Sequence, residues 1–136
     1  MNDVVSLWPS DLDEALADRR DSKTILAEQA ALLALVSAGD ITAEVVQSEA
    51  EDSPGGSVSR KFQLNLLSRD GYTHELLSVF VDCDLPYPCD LVFENEVHLC
   101  ATPSGLVSAL GKVLTGDSTK SLLLALAVRS NTVTAN

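Results

Sequence analysis

Aromatic residues are scarce in this chain: six in 136 positions, with a single tryptophan, Trp8. Basic residues are scarce too. Nine Lys and Arg stand against twenty Asp and Glu, a formal charge of −11. Nucleic-acid binding rests on neutralising phosphates, so no nucleic-acid partner is expected. The same repulsion disfavours anionic membrane surfaces. Apolar runs such as LLLALAV at 122–128 are of core-helix length, far short of the roughly 20 residues that cross a bilayer. The N-terminus has no basic start followed by an apolar stretch, so no secretory signal is read and the expected address is cytoplasmic. Glycine is thinly used. Gly55-Gly56 sits in an acidic loop with no Lys-Ser/Thr after it, and Gly105 falls inside an expected helix, so neither makes a phosphate-cradling loop. No G-x-S-x-G elbow is present.

What is present is enough for a core. Hydrophobic residues make up 46% of the chain, which places it among globular proteins, and its length suits a single domain. The acid is unevenly spread. Residues 1–52 carry twelve acidic and three basic side chains, while residues 53–136 carry eight and six. Three parts follow: an acidic N-terminal arm at 1–21, docked or free, a single domain at 22–130, and a frayed tail at 131–136.

Within the arm, Pro9-Ser10 precedes an expected short helix at 11–20, with Leu12 and Leu16 one turn apart. Ser22 is read as the N-cap of a helix at 23–38 that ends at Gly39. Its broad stripe (Ile25, Leu26, Leu32, Leu33, Leu35 and Val36) implies burial on more than one side. The period then changes. Residues 41–47 read as a strand, 48–59 as a solvated loop broken by Pro54-Gly55-Gly56, and 61–68 as a strand with Phe62, Leu64 and Leu66 on one face. Asp70-Gly71 predicts a hairpin into a strand at 72–81. The prolines of LPYP at 85–88 make that segment a connection. Short strands at 90–93 and 96–100 flank Glu94-Asn95. Thr102-Pro103 opens a helix to 114, Gly116 stops it, and a last helix runs to 129 as the expected most buried element.

Helix, antiparallel strands, then two helices make an α+β fold: a two-layer sandwich with an N-terminal helix, a sheet of four or five strands and two C-terminal helices. This element order, with Tyr87-Pro88 after the meander, resembles the ubiquitin-conjugating-like and RWD layout. The resemblance implies a shape; no functional residue is carried over from it. In size and charge the chain is similar to small acidic secretion chaperones.

Chemistry is sought first where the sulfur lies. Cys83, Cys89, His98 and Cys100 supply four soft ligands, but structural zinc sites use pairs with two to four residues between them, whereas here the gaps are five, eight and one. Three cysteines, an odd number, give no disulfide framework. Asp82, Asp84 and Asp90 beside Cys83 and Cys89 oppose a thiolate, and the prolines between them break any calcium-loop spacing. His74 beside Glu75 reads as an ordinary strand residue. No catalytic set, metal or cofactor is therefore expected.

The expected function is stoichiometric protein binding, as an adaptor, an immunity or inhibitor protein, or a chaperone-like module, with a basic protein as partner. Leu7, Trp8, Leu12 and Leu16, interleaved with carboxylates, are the expected contact residues, because Trp anchors are enriched at interface hot spots. Tyr87, between two prolines, is the second expected contact. The alternative is a self-associating structural subunit of a larger assembly, a homodimer being one form of it, using the broad stripe of the 23–38 helix. Behind both stands a small metal- or thiol-dependent enzyme built on the sulfur-bearing strands.

Overall fold

The computed structural model of the chain describes residues 5–50 and 59–134. Among these the elements, in chain order, are α1 (Leu12–Ala15), α2 (Ser22–Val36), β1 (Ile41–Ala50), β2 (Ser59–Ser68), β3 (Thr73–Asp82), β4 (Cys89–Phe93), β5 (Glu96–Cys100), α3 (Pro103–Leu114) and α4 (Asp117–Thr134). The strands form one antiparallel sheet in the order β1-β2-β3-β4-β5, each paired with its neighbour in sequence. Helices α2, α3 and α4 cover one face, giving the expected α+β sandwich. The expected loop at 51–58, the last two residues of the expected tail and residues 1–4 of the arm lie outside the described residues.

Local chemistry sets the element ends. The carboxylate of Asp21, not Ser22, caps α2 by accepting the Thr24 N–H at 2.8 Å; a carboxylate there also suits the positive end of the helix. At the other end the Gly39 N–H donates to Ala34 O and the Ala38 N–H to Leu35 O, the paired closure that ties off the last carbonyls. Because α2 stops at Val36, both Ala38 (φ +54°) and Gly39 (φ +82°) turn left-handed. In the β2–β3 hairpin, Gly71 sits at φ +87°, a conformation that side chains resist. The Ser68 N–H there donates to Tyr72 O at 3.0 Å. Glu94 and Asn95 both have positive φ between β4 and β5, which matches the twist of a tight two-residue hairpin.

The core lies between sheet and helices. Phe62, Leu64 and Leu66 of β2, Val79 of β3 and Leu91 of β4 meet Ile25 and Leu26 of α2, Leu106 and Leu110 of α3, and Leu126 of α4. Burying each such side chain contributes about 1.5–3 kcal/mol. Strand β3 breaks simple alternation, since Leu76, Leu77, Ser78 and Val79 are all buried. The β2–β3 register shifts at Leu64/Asn65, leaving Leu76 as an extra residue that a plain strand at 72–81 would not contain. Two buried hydroxyls tie α4 to its neighbours. Thr119 donates to Val113 O at 2.6 Å, and Ser130 donates to Asp40 O at 2.9 Å.

Several expectations are corrected. The arm helix is four residues long rather than ten: the Asp11 side chain makes no cap bond, and the Ala17 N–H already closes a tighter turn onto Glu14 O. Strand β1 continues to Ala50, and α4 to Thr134, into the expected frayed tail. Helix α4 is not the most buried element, because Leu124 and Val128 face outward while Leu126 faces in. The stripe of α2 is likewise covered only in its first half. Ile25 and Leu26 are buried, whereas Leu32, Leu35 and Val36 are exposed.

Candidate functional site in the arm and its surroundings

The root of the arm is pinned. Arg20 donates to Asp18 at 2.7 and 2.9 Å and to Glu28 of α2 at 2.6 Å. The hydrogen bonds from Arg20 hold the Asp18 carboxyl well below the usual range, at about 2. The backbone carbonyl of Arg20 accepts the Tyr87 hydroxyl at 2.8 Å, so the β3–β4 connection clamps the point where the arm enters α2. Tyr87 does not project as expected. It is half-buried and packs against the core, which makes it the clasp of the arm's root.

Beyond that root the arm is uncovered. Leu7 is 96% exposed and Trp8 74% exposed, and Leu16 also faces solvent, with Leu12 half-buried. Asp11, Asp13 and Glu14 surround them. The four expected contact residues thus lie along one acidic segment.

The clasp is testable through pH. Burial raises the Tyr87 hydroxyl well above its ordinary value of 10. Burial, reinforced by neighbouring Cys100, pushes the Cys89 thiol from 9 up to about 12. The unfolded chain therefore releases both protons before the folded one does, and stability present below pH 9 is lost as pH rises. Tyr87→Phe is expected to lower stability at neutral pH by about 1 kcal/mol and to flatten the loss above pH 10. Cys89→Ala flattens the part between about pH 9 and 12. Urea midpoints across this range check both; a wild-type midpoint independent of pH contradicts them.

The sulfur-bearing residues separate. Cys89 and Cys100 are directly opposed across β4 and β5 and both are buried. Cys83 is exposed in the connection after β3, and His98 lies beside Glu96 with 3.6 Å between Nε2 and the carboxylate. Register places His98 and Cys100 on the helix side and Val97 and Leu99 on the outer face, as alternation predicts. Among the described residues no group of three or more His, Cys, Asp or Glu side chains is placed to hold a metal ion. Burial raises the Cys100 thiol as well as that of Cys89, the reverse of what a nucleophile needs. One thiol per folded chain, Cys83, is expected to react quickly with iodoacetamide. The other two should react at least about 100-fold more slowly until urea opens the fold. Mass spectrometry counts the adducts, and fast labelling of Cys89 or Cys100 contradicts this placement.

The stripe of α2 expected to serve self-association borders a groove that sequence reasoning did not foresee, between α2 and α4. An apolar cavity of about 180 Å³ opens there, lined by Leu32 and Val36 of α2, Leu123 of α4 and Leu64, Leu66 and Leu76 of the sheet. The i, i+4 pairs Leu32/Val36 and Leu124/Val128 were the available signal, but periodicity alone does not say which half of a stripe is covered. Among the described residues no helix is long and apolar enough to cross a membrane. No protein-family model, curated protein or solved structure matches this chain, so its likeness to the ubiquitin-conjugating-like and RWD layout rests on element order and Tyr87-Pro88 alone.

Proposed function

We propose that this chain is a small acidic protein-binding module, an adaptor, immunity or inhibitor protein or chaperone-like factor, that works by stoichiometric association and not by catalysis. Its partner on this reading is a basic protein, met by the N-terminal arm in the cytoplasm. The observation that carries the reading is the arm itself: Leu7 and Trp8 stand almost bare among carboxylates, while Arg20, Glu28 and Tyr87 fix the point from which they extend. A large amphipathic anchor beside like charges gives contact area together with electrostatic steering. Three free cysteines, two facing each other unbonded, suit a reducing compartment.

Affinity capture from the native cell, with the full chain as bait, tests this reading. At about 50 mM salt a basic protein should be retained in stoichiometric amount, and about 300 mM salt should release most of it. The double variant Leu7→Ala/Trp8→Ala should retain less than about one tenth as much. If nothing specific is captured, or the variant captures the same protein equally well, the reading fails.

A further inference from the structure

The outward flanks of α2 and α4 are a second exposed apolar surface, separate from Leu7 and Trp8 of the arm. We propose that this helix face is the interface of a homodimer, in which α2 and α4 of one copy pack on α2 and α4 of the other and the two sheets lie outermost. Leu35 and Val36 are 77% and 85% exposed, Leu124 and Val128 59% and 66%. With Leu32 they present on the order of 500 Å² of apolar surface per copy, near the upper end of what a monomer leaves bare. Two such faces reach the roughly 1,000 Å² that a specific interface requires.

Charge selects the occupant. A second copy brings the same eleven negative charges, so two chains can meet only where acid is thin. Helices α2 and α4 together hold two of the twenty acidic residues, Glu28 and Asp117, and three of the nine basic ones, Lys23, Lys120 and Arg129. The lining of the groove between them contains no charged side chain. On this face a copy meets itself with the least repulsion, and a basic partner would find few carboxylates to pair with. The geometry also closes. In a two-fold arrangement each Leu35 crest can enter the other copy's groove, where the cavity offers room for a leucine side chain.

Sedimentation equilibrium on the full chain tests the proposal. Wild type should run at twice its 14.4 kDa mass at micromolar concentration. Leu35→Glu places a carboxylate in the interface twice and should weaken association by about 100-fold or more. Its thermal unfolding as an isolated monomer should be two-state and complete, since position 35 is exposed. Leu99→Glu, on the outer face of β5, should leave the dimer intact. Raising salt should tighten the dimer by screening residual repulsion, the opposite of its effect on the arm's partner. Trp8→Ala should not touch self-association, so the two readings fail separately. A monomer at about 100 μM, a Leu35→Glu chain as dimeric as wild type, dissociation by Leu99→Glu, or a different protein held in the groove in place of the second copy would each overturn the proposal.

Discussion

Replacing Ser130 with alanine is expected to destabilise the fold by about 1–3 kcal/mol, although the change removes a single oxygen. That oxygen joins three elements. It donates to Asp40 O, between α2 and β1, at 2.9 Å and accepts the Arg69 N–H of the β2–β3 turn at 3.0 Å. Alanine removes this partner from both backbone groups; the bonds are half-buried, so water replaces part of what is lost and each costs about 1 kcal/mol. The nearby ion pair between Arg69 and Asp40, at 2.9 Å and half open to solvent, is a different case. Such surface pairs are worth about 0–1 kcal/mol, so Asp40→Asn should lose far less than Ser130→Ala. Urea unfolding followed by circular dichroism compares the two. A loss below about 1 kcal/mol for Ser130→Ala would mean that Asp40 and Arg69 hold the corner without it.

Leu106→Ala should cost about 3–4 kcal/mol and lower the melting temperature by roughly 10 °C. Leu106 is fully buried in the first turn of α3 and belongs to the same core as Leu91 and Leu110. Thr102 caps that turn by accepting the Gly105 N–H at 3.0 Å, which holds the backbone in place and limits collapse into the cavity left behind. Its neighbour Val107 is 42% exposed, so Val107→Ala should change stability by no more than about 0.5 kcal/mol. Equal losses at the two positions would show that α3 is not seated by the Leu106 face.

Much of the architecture was legible because short-range chemistry dictated it. Alternation of Phe62, Leu64 and Leu66 located β2, Asp70-Gly71 located its hairpin, and Thr102-Pro103 located the start of α3. The misreadings share a cause. Ser22 and Asp21 are both competent caps, and only the accepted Thr24 N–H decides between them. Leu35 and Leu124 carry the same hydrophobicity as Leu26 and Leu126, and only the placement of three helices over five strands leaves the first pair bare. The extra residue at Leu76 is a relation between two strands, invisible along either one. Tyr87 is expected from the sequence as a projecting contact, but its hydroxyl bonds a carbonyl 67 positions away at Arg20, beyond the reach of any local pattern. The exposure of Trp8 follows from the absence of any covering element among the described residues and could not be derived from the arm's own composition.

Because each strand lies beside its successor, the whole sheet can assemble in the order of synthesis, every pairing closing a short loop. Its greasy side has no such privilege. While the chain is still emerging from the ribosome, α2 can cover part of that face, but the cover is completed only by α3 and α4, the last described elements to be made. A nascent chain stalled near residue 100 would therefore display a finished meander covered by α2 alone, with the rest of its apolar face bare, the form most in need of a chaperone.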